Sequence, residues 1–136
     1  MGSIVTSKRV QRSWMYTNGT FQVLFSCAFH SGAGLKDAPH IAADLFPIIA
    51  DTLCEWWPLE YRHCTGGALA YLDLDKYSAG ELLKLEQAVQ TGIDEIESGR
   101  FDRVPIWTPV IRANLTRVGK ELLDLIRAAI GSAPTE

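Results

Sequence analysis

The sequence has few of the features from which a catalytic, metal-binding or membrane function is usually inferred. Its three cysteines, Cys27, Cys54 and Cys64, are odd in number and lack CxxC spacing. That pattern favours reduced, mostly buried thiols over a disulfide framework. No apolar run approaches the roughly 20 residues that span a bilayer. Residues 1–10 lack the basic-then-apolar order of a signal peptide, so we expect a cytoplasmic protein without a membrane role.

The remaining candidates for chemistry are weak. Cys54, His63 and Cys64 come nearest to a metal cluster, but the adjacent His63 and Cys64 are poorly placed to converge on one ion. Cys27 could pair with His30 or His40 as a catalytic nucleophile, but it lies among phenylalanines, where a thiol usually stays neutral. We therefore expect no catalytic group, no metal site and no cofactor.

Charge is segregated along the chain. Residues 1–36 contain no acid and have a net charge of +4, whereas residues 37–60 contain no base and have a net charge of −5. Residues 73–97 again have −5, and residues 98–136 have +2, so the total of −3 conceals a strongly acidic centre. Such a centre would repel phosphate, which argues against nucleic-acid binding, and would attract a basic partner. The alternative is a solvated acidic face that keeps a small protein soluble.

An Asn-Gly pair predicts a β-hairpin near the N-terminus. Asn18-Gly19 accepts the positive φ values of a type I′ turn. The predicted strands on either side are Lys8–Tyr16 and Thr20–His30, the second with apolar residues at alternate positions. A further short strand is predicted over Ala68–Leu74.

The first predicted helix covers Asp37–Trp57. Asp37 is a suitable N-cap, and Pro39 is tolerated in the first turn. Pro47 removes a backbone donor inside the helix, so a kink or a break is expected there.

Two further helices have clear start and end signals. Ser78 and Glu81 have the capping-box spacing, and the helix that they start should end before Gly99. The last helix should start at Thr108-Pro109 and end near Ile130. Asp73 and Asp75 could form a carboxylate pair, but a turn-forming role before the Ser78 cap explains them more simply.

These elements predict the fold class. We expect one α+β domain over residues 1–136, in which a small, mainly antiparallel sheet is covered by three helices. The sheet would consist of the N-terminal hairpin and one central strand.

An acidic stripe with a tryptophan at its end is the strongest candidate for a partner-binding surface. Asp44, Asp51 and Glu55 fall on a different stripe of the first helix from its apolar residues. Consecutive helical residues diverge by about 100°, so we expect one of Trp56 and Trp57 to face the core and the other to face elsewhere. We predict that Asp44, Asp51, Glu55 and Trp57 contact a protein partner, with Trp57 as the energetic hot spot. Alternatively, the loop that follows covers both tryptophan rings.

The stretch Leu72–Leu83, a strand leading into a capped helix, resembles segments of bacterial immunity proteins. These proteins neutralise the toxins of contact-dependent growth inhibition and related polymorphic toxin systems. The resemblance implies a tight complex with a cognate toxin domain, and such toxins are often basic nucleases. No residue role is carried over from that family.

Two other classes remain open from the sequence. The chain could be a small ligand-binding domain or enzyme with a pocket between the sheet and the Pro47-kinked helix. It could also be a regulatory or structural subunit of a larger assembly. The sequence gives no indication of the oligomeric state.

Overall fold

The computed structural model describes residues 2–17, 37–41, 43–44, 71–99 and 108–133. Residues 39–41 and 43–44 are helical, and we call them the His40 helix segment. The other elements are β1 (Gly2–Ser7), β2 (Arg12–Thr17), β3 (Tyr71–Asp73), a 3₁₀ turn (Leu74–Lys76), α1 (Ala79–Ser98) and α2 (Pro109–Gly131). The fold is α+β, as predicted.

The sheet is mixed, which corrects the prediction of a mainly antiparallel sheet. Its strand order is β2-β1-β3, with β1 antiparallel to β2 and parallel to β3. A parallel neighbour requires a long crossover connection, and residues 18–70 between β2 and β3 provide the length for one.

The hairpin that the structure describes has its turn at residues 8–11, earlier in the chain than the predicted turn at Asn18-Gly19. Residues 8–11 form a turn between β1 and β2, so only the second half of the predicted strand Lys8–Tyr16 is extended. The Gln11 N–H donates to the Lys8 carbonyl at 3.1 Å, and Gln11 has a positive φ of 55°. The predicted Asn18-Gly19 turn and the predicted strand Thr20–His30 lie outside the described residues.

The two faces of the sheet differ in exposure. Val5 and its cross-strand neighbours Trp14 and Leu72 form a buried row that belongs to the hydrophobic core. The adjacent row points to the opposite face because side chains alternate along a strand. It consists of Met15, Ile4 and Tyr71.

Helix α2 packs on the buried face of the sheet, and helix α1 packs against α2. Helix α1 ends at Gly99, whose φ of 87° places it in the left-handed region that terminates helices. The Trp14 indole N–H donates to the Val118 carbonyl of α2 at 2.9 Å, which fixes the sheet against that helix. The buried apolar side chains of the two helices include Leu82, Leu85, Val89, Ile93 and Ile96 of α1 and Leu115, Val118, Leu122, Ile126 and Ala129 of α2.

The prediction of the first helix is confirmed over residues 39–41 and 43–44. The helix begins at Pro39, so Asp37, which is in a 3₁₀ conformation, and Ala38 precede it. Ile41 is buried in the core, as its place on the apolar stripe predicts. The rest of Asp37–Trp57, including Pro47, lies outside the described residues. The predicted strand Ala68–Leu74 is extended at Tyr71–Asp73, and its last residue already belongs to the 3₁₀ turn.

Candidate functional site

The carboxylate of Asp75 holds the turn between β1 and β2. It accepts hydrogen bonds from the Ser7 hydroxyl at 2.6 Å, the Lys8 N–H at 2.8 Å and the Arg9 N–H at 3.1 Å. Because two of these donors are backbone amides, the carboxylate satisfies groups that the strand ladder leaves unpaired at this point. Asp75 therefore has a structural role, and Asp73, whose carboxylate accepts from the Asp75 N–H, caps the 3₁₀ turn.

Arg9 connects this turn to the end of α2. Its Nε lies 3.1 Å from Asp75 Oδ1, an ion pair without the alignment of a hydrogen bond. Its Nη2 donates to the Ala129 carbonyl at 3.4 Å, where a cation is favoured by the negative end of the helix dipole.

The donors around Asp75 set the direction of its pKa shift. Burial by itself would raise the pKa of Asp75. The hydrogen bonds from Ser7 and Arg9 and the positive charge of Arg9 outweigh that effect, so the pKa lies below its ordinary value of 3.8. Asp75 is consequently ionised at neutral pH.

Ser78 and Glu81 shape the start of α1. The Glu81 N–H donates to the Ser78 hydroxyl at 3.2 Å, which confirms the predicted N-cap. The Glu81 side chain reaches the His40 helix segment, where it accepts from the His40 N–H at 3.1 Å. His40 Nδ1 also lies 3.1 Å from a Glu81 carboxylate oxygen. The Glu81 carboxylate thus accepts a backbone N–H from the first turn of the His40 helix segment, where the helix dipole favours negative charge.

Tyr77 and Lys76 hold the carboxylate of Asp44 beside the start of α1. Its hydroxyl donates a short hydrogen bond to Asp44 Oδ2, and its ring is buried in the core. The Lys76 ammonium lies 3.6 Å from the same oxygen of Asp44. Asp44, one of the predicted partner-binding residues, is therefore fixed by two neighbours while its side chain remains 42% exposed.

Three carboxylates act on the Tyr77 hydroxyl. Burial raises the pKa of Tyr77, and the hydrogen bond to Asp44 raises it further. The charges of Asp44, Glu81 and Asp73 add to the increase. We call Asp44, Asp73 and Glu81 the Tyr77 acidic cluster.

An open cleft of about 410 Å³ lies beside this cluster. Its walls come from the β1–β2 turn, the His40 helix segment and the start of α1. The lining side chains are mainly polar: Arg9, His40, Asp75, Lys76, Tyr77, Ser78 and Glu81, together with Ala79. Such a lining can hold a polar group, but it lacks the apolar walls that are usual for small-molecule sites.

Along the rest of α1, acidic side chains pair with basic side chains of α2. Glu86 lies 2.6 Å from Arg127 Nε, and Glu97 lies 3.5 Å from Lys120 Nζ. Two acids of the second acidic segment are therefore offset by bases of the last basic segment. The Tyr77 acidic cluster differs, because the ammonium paired with Asp44 belongs to Lys76, itself part of an acidic segment.

Of the four predicted partner-binding residues, the structure describes Asp44. Asp51, Glu55 and Trp57 lie outside the described residues, as do Cys27, Cys54, His30, His63 and Cys64. Within the described ranges, no group of three His, Cys, Asp or Glu side chains is arranged to hold a metal ion. None of the helices in those ranges combines the length and apolarity that crossing a bilayer requires.

Sequence reasoning missed the contribution of Arg9, His40 and Tyr77 to this region. The capping-box spacing pointed to Glu81 but indicated a bond back to Ser78, not one to His40. For the other two residues no local signal exists, because their partners Asp75 and Asp44 are more than 30 positions away in the sequence.

Comparisons of the chain with protein-family models, curated proteins and solved structures gave no significant match.

Proposed function

We propose that this chain is a protein-binding module, and not an enzyme, that captures a basic protein partner. The observation that supports this proposal is the Tyr77 acidic cluster, where the charges of Asp44, Asp73 and Glu81 act on the Tyr77 hydroxyl and Lys76 pairs with Asp44. The cluster includes Asp44, from the segment 37–60 that contains five acids and no base. Negative charge is thus retained here, whereas Glu86 and Glu97 of α1 are paired with bases of α2.

A surface of this charge acts first on the rate of encounter. Concentrated carboxylates attract a basic protein and raise its association rate, and salt weakens the effect. An aromatic side chain shielded from water would then slow dissociation, which is the role that we propose for Trp57.

Within this class, an immunity protein that neutralises a cognate toxin is the specific function that we propose. The support is the resemblance of Leu72–Leu83 to such proteins and the match between an acidic surface and a basic, nuclease-type toxin. The complex would form in the cytoplasm, and it would need no cofactor, nucleic acid or membrane.

Charge reversal tests the proposed function. We expect Asp51→Lys combined with Glu55→Lys to leave the fold intact, because both residues lie off the predicted apolar stripe. Binding to the basic protein retained from an extract of the source cells should weaken sharply. Trp57→Ala should mainly raise the dissociation rate, by an amount equivalent to about 2 kcal/mol or more. Association and dissociation rates at low and high salt, measured by surface plasmon resonance, distinguish the two effects.

A matched control comes from α2. Glu121→Lys combined with Asp124→Lys makes the same change in net charge at two exposed positions of a basic segment. This control should bind like the unaltered protein. Equal losses in both double variants would mean that only net charge matters, and unchanged binding in all variants would place the epitope elsewhere.

The cleft beside the Tyr77 acidic cluster favours a second candidate function, a small-ligand site. Its volume of about 410 Å³ is in the range of small-molecule pockets, and Arg9 and Lys76 offer positive charge to an anion. A thermal-shift screen of small carboxylates and phosphates tests it. A ligand that stabilises the unaltered protein but not Lys76→Met would favour this function over protein capture.

A further inference from the structure

One carboxylate oxygen of Asp44 is engaged within the protein and the other is not. Oδ2 accepts a hydrogen bond from the Tyr77 hydroxyl and lies 3.6 Å from the Lys76 ammonium. Within the part of the chain that the structure describes, no hydrogen bond or ion pair reaches Oδ1. The Asp44 side chain is 42% exposed, so it keeps acceptor capacity for a group outside the chain.

Tyr77 holds Asp44 from the side of the core. Its ring is buried in the hydrophobic core, and its backbone N–H donates to the Leu74 carbonyl at 3.3 Å. Because the ring and the backbone are both fixed, the hydroxyl has a defined position from which it orients the carboxylate. Burial and the hydrogen bond to Asp44 raise the pKa of Tyr77, so the hydroxyl remains a neutral donor at neutral pH.

The backbone that carries Asp44 is held by other contacts. Ala38 and Ile41 are buried in the core, and the His40 N–H donates to the Glu81 carboxylate at 3.1 Å. The Asp44 side chain is therefore fixed at both ends, at its backbone by these contacts and at Oδ2 by Tyr77. A side chain that is ordered before binding loses less conformational entropy when a partner arrives.

The Lys76 ammonium can give way to a cation from outside the protein. Its side chain is 61% exposed, and its distance of 3.6 Å from Asp44 exceeds the roughly 2.8 Å of a charge-assisted hydrogen bond. Exposed ion pairs of this kind contribute little to stability. An ammonium or guanidinium of a partner can therefore replace Lys76 without breaking a hydrogen bond inside the protein.

We infer that Tyr77 is a positioning residue of the proposed binding surface, whose hydroxyl orients the Asp44 carboxylate to accept a lysine or arginine side chain of the basic partner. The inference rests on the proposed function and gives Asp44 a direct contact in addition to its part in the general attraction. Attraction over a distance depends on the charge of Asp44, whereas slow dissociation depends also on the orientation of its carboxylate.

A double-mutant cycle between Tyr77 and Asp44 tests this role. The full chain and the basic protein retained from an extract of the source cells are compared by surface plasmon resonance. Tyr77→Phe keeps the net charge, so association should be unchanged and dissociation should be about fivefold faster. Asp44→Asn should slow association as well as speed dissociation. In the Asp44→Asn background, Tyr77→Phe should have no further effect, because no carboxylate is left to orient.

A conservative variant and a matched control separate positioning from folding. Asp44→Glu keeps the charge at an exposed position and moves the carboxylate by one methylene group. It should leave association unchanged and speed dissociation. Tyr71→Phe also removes a tyrosine hydroxyl, but Tyr71 is 54% exposed on β3, so this variant should bind as the unaltered protein does.

Removal of the competing ammonium should have the opposite sign. Lys76→Met should bind the partner severalfold more tightly than the unaltered protein at low salt. Lys120→Met makes the same change in net charge on α2, where the lysine side chain is 59% exposed, and should have a smaller effect. Since a damaged fold does not tighten binding, this comparison decides the matter even if Tyr77→Phe fails to fold.

The outcomes distinguish this inference from the proposed function. A loss caused by Tyr77→Phe that is the same in both backgrounds would mean that Tyr77 does not act through Asp44, and the inference would be overturned. Unchanged rates in Tyr77→Phe and Asp44→Glu, or equal effects of Lys76→Met and Lys120→Met, would overturn it too. The proposed function would then stand if charge reversal at Asp51 and Glu55 still weakened binding. Failure to retain any basic protein would overturn both.

Discussion

Around the start of α1 the carboxylates mostly accept hydrogen bonds from neutral groups, whereas farther along the helix Glu86 and Glu97 pair with bases of α2. Glu81 accepts from the His40 N–H, while Glu86 lies against Arg127. The first arrangement stabilises backbone geometry and leaves negative charge in place, and the second removes the charge of both partners. A charge pattern in a sequence therefore indicates a binding surface only where the fold has not already supplied the counter-charge.

The largest effect should come from Asp75, which has the most donors. Asp75→Ala would leave the buried Ser7 hydroxyl and two backbone amides without their acceptor, which should cost about 3 kcal/mol of unfolding free energy. Asp94→Ala is the control, because Asp94 is exposed and accepts from Gln90 one helical turn away. Urea denaturation of both variants measures the difference, and equal losses would remove the distinction between the carboxylates around the start of α1 and those farther along the helix.

Asp75 should also affect how the unfolding free energy depends on pH under acid conditions. A carboxylate with a pKa lowered by folding contributes stability at neutral pH, and this contribution is lost as the pH falls through 3.8 and below. The difference in unfolding free energy between the unaltered protein and Asp75→Asn should therefore be largest near neutral pH and shrink under acid conditions. Urea titrations across this range measure it. A difference that is independent of pH would mean that the charge of Asp75 is not what holds the turn.

Local patterns predicted the helices better than the strands and the contacts of the acids. Both ends of α1 and α2 were predicted within one residue, because Ser78, Gly99 and Pro109 act through their own backbone geometry. The β1–β2 turn was missed because Lys8-Arg9-Val10-Gln11 contains no glycine, asparagine or proline, and a distant carboxylate holds it. The run Ile4-Val5-Thr6 was an available strand signal that the prediction overlooked.

The candidate site was predictable only in part, and for a similar reason. Asp44 was selected from its stripe on a helix, but its partners Lys76 and Tyr77 come from a different part of the chain. The segregation of charge along the sequence identified the acidic residues. It did not show which of them form ion pairs with bases of α2. That question depends on the packing of α1 against α2, which periodicity does not specify.

A smaller effect is expected at the hydroxyl of Tyr77. Tyr77→Phe should cost about 1 kcal/mol, since the half-exposed Asp44 can be rehydrated when its donor is removed. Because folding raises the pKa of Tyr77, its contribution is complete below pH 10.0 and is lost as the pH rises above that value. Urea titrations at neutral and alkaline pH should show a decline for the unaltered protein that Tyr77→Phe lacks. The exposed Tyr71→Phe should keep that decline, and its loss there too would assign the titration to another group.

The smallest effects should come from the pairs between α1 and α2. Glu97 and Lys120 are both about half exposed, so Glu97→Gln should change the unfolding free energy by about 0.5 kcal/mol or less. Glu86 is only 19% exposed and contacts Arg127 at 2.6 Å, so Glu86→Gln should cost slightly more, about 1 kcal/mol. Both changes expose positive charge on α2, yet neither alters the Tyr77 acidic cluster, so partner association should remain as salt-dependent as before. If Glu86→Gln or Glu97→Gln slowed association as much as Asp44→Asn does, the attracting field would come from the whole chain, and the contrast between the two parts of α1 would have no bearing on binding.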